Sequence, residues 1–287
     1  MEPFVVKSET ITGREDRPVL LHIEPWSGKF PEVTAGFSSR WGGVSRAPFH
    51  SLNCGLHVND DPKDVVINRE RIADVLGLPF DAFTYAEQVH GKDVAIVSLN
   101  EQGSGRVARE TALQAKDGFI TQEKGIVLCA QFADCVPLFF YDPVKRVVAL
   151  AHAGWKGTVL NISMATISLM THTFGSQPSD IYAVVGPSIG ACCYEVDETV
   201  ASRVKQVLDE MQSSQEEKAA ILTDKGNSKY MLNLQVMNRK LIEQAGILSS
   251  HIEVTQLCTS CRNDLFFSHR KEEGSTGRMI AWIGLLA

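Results

Sequence analysis

The hydrophobic pattern is strongest in the middle of the chain, where two apolar runs flank a short turn. The first run covers residues 136–141 and the second covers residues 147–151. Both runs are short and rich in β-branched or aromatic residues, which favours buried strands over helices. Asp142 and Pro143 lie between them, and they form a turn signal because proline fixes φ and aspartate bonds its own backbone. The pattern predicts a buried β-hairpin.

This hairpin brings two reactive side chains to one place. Cys135 immediately precedes the first run, and His152 immediately follows the second. Because hairpin strands are antiparallel, the start of the first strand lies beside the end of the second. A thiol beside an imidazole is typical of a transition-metal site, and equally of a nucleophile with its base. Gly154 and Gly157 then end the strand, and a helix is expected from Thr158.

Periodic apolar positions elsewhere predict helices and further strands in a mixed α/β chain. The helices are expected at residues 62–78, 158–174, 197–212 and 233–245, and the strands at residues 126–128, 181–185, 252–254 and 279–286. The segment 36–61 is rich in Gly, Ser and Asn and is expected to be a long loop. Residues 213–218 are polar and are interpreted as a solvated loop or a helix end.

Composition narrows the class of protein. Of the 287 residues, 44% are hydrophobic and 22% are charged, as in an ordinary globular protein. A net charge of −6 and a pI near 5.8 argue against nucleic-acid binding, although a small anionic substrate in a local pocket stays compatible. The first ten residues lack a signal peptide, and no stretch predicts a membrane span. Seven irregularly spaced cysteines therefore predict reduced thiols in a cytoplasmic protein.

Two further segments carry candidate chemistry. Arg40 precedes Gly42 and Gly43, an arrangement that suits either an anion cradle or a surface turn with a solvated arginine. His90 lies in the run QVHGKDV at residues 88–94 and is expected at a strand-to-loop junction. On its own, this histidine is interpreted as structural.

Several motifs together resemble one known family. They are ADC at 133–135, HAGWKGT at 152–158, RxGGVS from Arg40, QVHGKDV at 88–94 and GPxIG from Gly186. This set resembles the YfiH/YlmD family, also called the laccase-domain or polyphenol-oxidase-like family and now regarded as purine nucleoside phosphorylases. The resemblance implies one catalytic domain over residues 1–287. It also implies an α+β fold with four α/β/β/α layers, mixed sheets and duplicated β-α-β-β units.

The resemblance further implies a metal centre. It assigns His90, Cys135 and His152 as joint ligands of one ion. Two imidazoles and a thiolate suit Zn²⁺ and leave one tetrahedral position open, which is typical of a catalytic site. Cu²⁺ is compatible with the same ligands but is the less favoured ion, and one such set is too small for a multicopper cluster.

The implied activity is a zinc-dependent purine nucleoside phosphorylase acting on adenosine, inosine and 5′-methylthioadenosine, with adenosine deaminase activity. The expected partners are therefore purine nucleosides and phosphate. Catalytic roles fall on Arg40, Cys135 and His152, with Arg40 as the candidate phosphate ligand. Ser45 and Gln88 are expected to contact the substrate alongside Arg40.

Three other functions use the same residues. Cys135 with His152 as base describes a cysteine hydrolase, for example one that edits cell-wall precursors. A copper-dependent polyphenol oxidase is the older interpretation of the family. A non-catalytic metal-binding or partner-binding module is the alternative from a different class. The sequence does not predict an oligomeric state.

The remaining candidates are polar side chains near the hairpin and in the tail. Gln131 and Asp134 flank Cys135 in sequence and either hydrogen-bond a ligand or cap the strand end. Arg270 and Arg278 lie in the tail and serve either structural pairing or phosphate contact.

The other cysteines give a weaker signal. Cys258 and Cys261 form a CxxC pair, but no second CxxC completes a zinc ribbon, so the sequence does not predict a metal role for them. Cys192 and Cys193 are adjacent and are interpreted as core or loop thiols.

Overall fold

The described residues form fifteen strands and seven α-helices. The computed structural model describes residues 1–6 and 17–286, so part of the N-terminal segment that was expected to lack a signal lies outside the described residues. The strands are β1 (Phe4–Val6), β2 (Leu20–Ile23), β3 (Val33–Ser38), β4 (Phe83–Tyr85), β5 (Val94–Ile96), β6 (Gly118–Thr121), β7 (Val127–Phe132), β8 (Val136–Asp142), β9 (Val147–Ala153), β10 (Tyr182–Val185), β11 (Glu195–Asp197), β12 (Leu222–Gly226), β13 (Lys229–Leu232), β14 (Ile252–Val254) and β15 (Met279–Leu285). The helices are α1 (Glu24–Ser27), α2 (Pro62–Leu76), α3 (Trp155–Val159), α4 (Ile162–Phe174), α5 (Glu198–Glu210), α6 (Gln215–Ile221) and α7 (Leu234–Gln244).

The predicted hairpin is confirmed as β8 and β9. The two strands are antiparallel, with Val136 opposite Ala153 and Pro137 opposite His152. The Asp142 carboxylate closes the turn by accepting the N–H groups of Val144 and Lys145 at 2.8 and 3.0 Å, as the turn signal indicates. This register fixes the end of the hairpin at which Cys135 and His152 meet.

Two six-stranded sheets contain most of the strands. The first has the order β1-β2-β3-β15-β7-β4, and the second has the order β14-β10-β8-β9-β6-β5. Most pairs are antiparallel, but β4·β7, β5·β6 and β10·β14 are parallel, so both sheets are mixed. A separate three-stranded sheet has the order β11-β13-β12.

Side chains on the two faces of each sheet pack against the other sheet on one side and against helices on the other. One buried cluster lies between the two sheets and combines residues of both, among them Phe37, Leu128 and Ala281 of the first with Phe139, Leu150 and Val184 of the second. The opposite face of the second sheet packs on α4, α5 and α7, and the outer face of the first packs on α2. The expected α/β/β/α order is therefore confirmed. Strands with both faces covered have continuous apolar runs, which explains the pattern of β8 and β9.

The segment 36–61 begins in a strand, which corrects one boundary of the predicted loop. Residues 36–38 belong to β3, where Gly36 pairs with Trp282 of β15. A Cβ atom at Gly36 would lie 2.5 Å from the Trp282 ring, so only glycine lets the indole cross the strand there. The Gly-rich composition thus reflects close packing in this part of the segment.

Two helices also differ from the sequence prediction. The helix expected at 158–174 is split into α3 and α4, because Asn161 adopts a left-handed φ of 59° and its side chain caps Met164 N. The polar residues 213–218 enter α6, which starts with a capping box between Ser214 and Glu217. None of the described helices has the length and apolar character required to cross a bilayer.

Candidate metal centre and active site

His90, Cys135 and His152 converge at the end of the hairpin. Ligand atoms of the three residues all lie within 4.8 Å of one another. The Cys135 thiol is 3.8 Å from His90 Nε2, and the imidazole rings of His90 and His152 cross at 77° with centroids 4.8 Å apart. The sequence prediction that Cys135 and His152 lie together is confirmed, and His90 joins them from a distant segment.

Three different segments deliver these side chains. His152 is near the end of β9 and is 3% exposed, whereas Cys135 directly precedes β8. His90 lies in the connection between β4 and β5 instead of at a strand junction, and its φ is 61°. Asp134, just before the cysteine, also has a positive φ of 90°. A positive φ is unfavourable for residues other than glycine. It recurs at functional sites, where the surrounding structure holds a side chain in one orientation.

Asp117 links the histidines, a role that the sequence patterns did not reveal. Its buried carboxylate accepts a hydrogen bond from His152 Nδ1 at 2.9 Å through Oδ1, and the same oxygen accepts His90 N at 2.9 Å. Its Oδ2 accepts Gly91 N at 2.7 Å. Asp117 therefore fixes the tautomer of His152, so that Nε2 is the nitrogen free to bind a ligand. An aspartate before a strand is too common a signal to reveal this geometry.

The charges of the cluster are mutually dependent. Burial opposes ionisation of Cys135, but the charge of His152 and the hydrogen bonds of His152 and His90 outweigh it and lower the thiol pKa to about 6. Burial likewise opposes protonation of His152, but Cys135 and Asp117 together raise its pKa to about 9. Without a metal, the pair is a thiolate and an imidazolium near neutral pH.

Gly154 leaves the space in which the ligands meet. A Cβ atom at this position would lie 2.9 Å from Cys135 Sγ and 3.0 Å from His90 Cδ2. Its φ of −68° is open to any residue, so the requirement for glycine here concerns space alone. This need for space explains the first glycine of the HAGWKGT motif.

Two cavities lie beside the cluster and share part of it in their walls. The first has a volume of about 400 Å³, is lined by Gln88, Gln131, His269 and Arg278, and is large enough for a nucleoside. The second has a volume of about 320 Å³ and is lined by Lys156, Tyr194 and Arg270. His90 and Cys135 line both cavities.

Of Arg40, Ser45 and Gln88, which are predicted to contact the substrate, Gln88 alone lines one of the two cavities. Gln88 lines the first cavity, but its amide is engaged with the backbone of Gln131 at 3.0 and 2.7 Å. Ser45 is buried and accepts a hydrogen bond from Asn68, and Arg40 forms an ion pair with Glu272 at 3.1 Å. Neither Arg40 nor Ser45 is among the residues that line the two cavities.

Asp134 and the tail arginines surround the cluster. The Asp134 carboxylate accepts the hydroxyl of Thr259 at 2.6 Å and the N–H of Arg270 at 2.7 Å, which ties the tail to the residue before Cys135. These two contacts are to the tail and differ from the predicted cap of the strand end. The Arg270 guanidinium donates to Glu195 O at 2.7 Å and lies over Tyr194.

Arg278 is the cation set into the wall of the first cavity. Its Nη1 donates to the carbonyl oxygens of Thr276 and Gly277, both at 2.9 Å. Burial lowers the pKa of its guanidinium, although the thiolate of Cys135 and the carboxylate of Asp134 oppose the change. A bound anion in the cavity would compensate the energetic cost of burying this positive charge.

Comparison with known proteins shows the family. Residues 34–286 match a family described as multi-copper polyphenol oxidoreductase laccase. The chain belongs to this laccase-like YfiH/YlmD family. A Bacillus subtilis relative named purine nucleoside phosphorylase YlmD is 45% identical, over 93% of this chain and 95% of that protein. The names of such relatives support an enzymatic function.

Solved structures agree with the fold. YlmD from Geobacillus stearothermophilus matches with a TM-score of 0.90 at 38% identity, covering all of both chains. Bacillus licheniformis YfiH matches with a TM-score of 0.89 at 43% identity, covering 99% of this chain and all of that one. The expected fold class and family resemblance are therefore confirmed.

The ligand set can be tested against the family's description. In the described part of the chain, only His90, Cys135 and His152 form a histidine-containing group with metal-ligand spacing. Three such ligands fit a single ion with one open position. They do not fit a cluster of several copper ions, which requires more ligands than this group offers.

Proposed function

We propose that this chain is a zinc-dependent purine nucleoside phosphorylase acting on adenosine, inosine and 5′-methylthioadenosine, with adenosine deaminase activity. The observation that carries the proposal is the convergence of His90, Cys135 and His152 on the wall of a cavity of about 400 Å³. The names of the relatives support the reaction class. Zn²⁺ is preferred because two imidazoles, one thiolate and an open position match its catalytic sites.

The ion and the side chains have separate tasks. When bound, Zn²⁺ supplies Lewis-acid stabilisation of negative charge and lowers the pKa of water. Asp117 holds the His152 ring through Nδ1 and holds the His90 backbone, which keeps both imidazoles aimed at one point. Gly154 leaves free the space beside the Cys135 thiol and the His90 ring.

Phosphorolysis requires an anion beside the ribose. A phosphate oxygen forms a bond to C1′ while the C1′–N9 bond breaks. The electron pair of the broken C1′–N9 bond leaves with the purine. We place the phosphate at Arg278 in preference to Arg40, because Arg278 lines the cavity and Arg40 is paired with Glu272. A guanidinium in a partly buried wall binds phosphate oxygens through charge-assisted hydrogen bonds. Deamination, in contrast, consumes water at C6 and requires no phosphate.

The proposal is tested by purine release on protein of known metal content. Adenosine, inosine and 5′-methylthioadenosine are incubated with and without phosphate, and the free base is measured. We expect release that requires phosphate, and phosphate-independent conversion of adenosine to inosine with ammonia. His90→Ala is expected to lose both activities together with the ion at this site. Full phosphorolysis by His90→Ala protein that lacks an ion at this site would refute the metal-dependent mechanism.

The two arginines make a matched pair for the phosphate site. Arg278→Met is expected to raise the KM for phosphate by roughly 10-fold or more, as the loss of a charge-assisted contact predicts. Arg40→Met removes the same charge from outside the cavity and is expected to change this KM much less. The opposite ranking would transfer the phosphate role to Arg40.

One observation favours a second candidate, the cysteine hydrolase. The Cys135 thiol, with its pKa near 6, is already a thiolate beside His152 at neutral pH. A hydrolase acting on cell-wall peptides would be active without metal and would be inhibited by added Zn²⁺, because a ligated thiolate is a poor nucleophile. Amide hydrolysis by metal-free protein, abolished by zinc, would support this candidate and exclude the first.

A further inference from the structure

Four cysteines from two loops form a second cluster. The Sγ atoms of Cys192, Cys193, Cys258 and Cys261 all lie within 4.8 Å of one another. Cys261 Sγ is 3.4 Å from both Cys192 Sγ and Cys193 Sγ. The sequence has no second CxxC motif to complete a site with Cys258 and Cys261. In the structure, the adjacent residues Cys192 and Cys193 take that place.

The spacing of the sulfurs suits one shared ion. With a Zn–S distance near 2.3 Å, ligand sulfurs in a tetrahedral site lie about 3.8 Å apart. A disulfide requires about 2.05 Å between its sulfurs and involves only two of them. Here Cys261 is equally distant from two partners, so no single pair is favoured over the other.

The backbone is arranged around the sulfur of Cys258. This atom accepts hydrogen bonds from Gly190 N at 3.2 Å and from Cys261 N at 3.5 Å. Backbone N–H donors of this kind compensate the charge of a metal-bound thiolate. A Cβ atom at Gly190 would lie 3.3 Å from both Cys192 Sγ and Cys258 Cβ, so the glycine leaves room for the cluster.

Short-range contacts hold the two loops together at this point. Ser188 and Cys258 form a parallel β-bridge, and Thr259 N donates to Ser188 O at 3.0 Å. Cys193 N and Tyr194 N both donate to Gly190 O at 3.0 Å, which curls the first loop back on itself. The four thiols are therefore placed by folded backbone and do not depend on a chance meeting of side chains.

We propose that Cys192, Cys193, Cys258 and Cys261 bind a second Zn²⁺ in a closed tetrathiolate site. Thiolates are soft ligands that select Zn²⁺ among the common divalent ions, and four of them leave no position for a substrate. The site is structural. It joins the loop that carries Tyr194, which lines the second cavity, to the turn whose Thr259 holds Asp134 beside the catalytic cysteine.

Metal content tests the proposal without an activity assay. Protein expressed with zinc and purified under reducing conditions is expected to contain two equivalents per chain, matching its two ligand groups. Cys192→Ser/Cys261→Ser is expected to keep one equivalent, His90→Ala to keep the other, and the combined variant to keep none. Cys54→Ala changes a buried thiol outside both groups and is expected to keep two.

Cobalt distinguishes the two sites in protein loaded with Co²⁺. Four thiolate ligands give stronger sulfur-to-cobalt charge-transfer absorption than one thiolate with two imidazoles. We expect this strong absorption to persist in His90→Ala and to disappear in Cys192→Ser/Cys261→Ser. Failure of the proposed phosphorylase activity would leave these spectra unchanged, so the two proposals fail separately.

Wild-type protein provides a measurement that does not depend on folding of the variants. Titration with a mercurial thiol reagent is expected to release the second equivalent of zinc as the exposed thiols of Cys192 and Cys261 react. One equivalent in the wild type, two in Cys192→Ser/Cys261→Ser, or a mass lower by two hydrogens that reveals a disulfide among the four cysteines would each overturn the proposal.

Discussion

The two ligand clusters of this protein are built in opposite ways. His90, Cys135 and His152 come from strand ends and a connection, and a buried carboxylate, Asp117, holds the two histidines. The four-cysteine cluster comes from two loops and is held by backbone N–H groups, with two of its thiols exposed. His90 and Cys135 of the first cluster line both cavities, whereas none of the four cysteines is among the residues that line them.

Ligand chemistry accounts for the different purposes that we propose for the two sites. A Zn²⁺ with one thiolate and two neutral imidazoles keeps a net positive charge and an open position, so it acts as a Lewis acid. A Zn²⁺ with four thiolates carries excess negative charge and has no open position. In our proposals, the number of imidazole ligands and the access to a cavity, more than the presence of cysteine, separate the reactive site from the structural one.

The largest expected effect is the loss of the reactive site. Cys135→Ala removes the thiolate shared by the two cavities, so we expect the first metal and purine release to fall to background. The four-cysteine cluster is untouched, so one equivalent of metal is expected to remain. Metal analysis and base release on the same preparation check this. Loss of both equivalents would show that metal binding at the four-cysteine cluster depends on the first site.

Gly154→Ala is expected to have the next largest effect. The new methyl group would meet Cys135 Sγ at 2.9 Å, and Gly154 is the N-cap of α3, so the backbone has little freedom to withdraw. We expect metal affinity at this site to fall by roughly 10- to 100-fold, as for other disturbances of ligand position. Chelator competition measures the affinity.

A control glycine separates this effect from helix propensity. A methyl group added at Gly28 would have no atom within 4 Å, and the φ of this residue is −93°, so Gly28→Ala is expected to leave metal affinity unchanged. Equal loss in both variants would refute the steric explanation.

Asp117→Asn tests the orientation of the histidines. The amide cannot accept all the hydrogen bonds that the carboxylate accepts from His152 and from the backbone around His90. We expect about 10- to 100-fold weaker metal binding at the first site and no change at the second. Asp142→Asn, at the hairpin turn, is the matched buried aspartate and is expected to affect stability but not affinity.

The smallest effect is a pH dependence of the metal-free protein. Cys135 has a pKa of about 6, lowered from 9.0, and His152 has a pKa of about 9, raised from 6.5. The thiolate is lost as pH falls through 6, and the imidazolium is lost as pH rises through 9. The thiolate and the imidazolium therefore exist together in the metal-free protein between about pH 6 and pH 9.

Alkylation measures this thiolate directly. The rate of Cys135 modification by iodoacetamide is expected to rise through pH 6 in metal-free protein and to shift towards ordinary thiol values in His152→Ala. Zinc is expected to protect the residue. A midpoint near 9 in the wild type would contradict the proposed pairing.

Local sequence patterns were sufficient for much of the fold. The hairpin β8–β9, helix α2 with its Asp61 and Gly77 caps, and strand β15 all follow from apolar periodicity and strong end signals. Apolar periodicity does not predict helix α6, because its residues are mostly polar and its start is marked only by the capping box. The Gly- and Ser-rich composition of residues 36–38 predicts a loop, but Gly36 lies in a strand, where it allows the close approach of the Trp282 indole.

The sequence by itself determined the hairpin and thereby the meeting of Cys135 with His152, because antiparallel pairing is a local consequence of two apolar runs and a turn. The tertiary structure alone decided the rest of the site. Asp117 reaches His152 because β6 pairs with β9, and Cys192 reaches Cys261 because the loop after β10 meets the turn after β14. Those contacts join residues 35 and 69 positions apart, and no local pattern encodes such a separation.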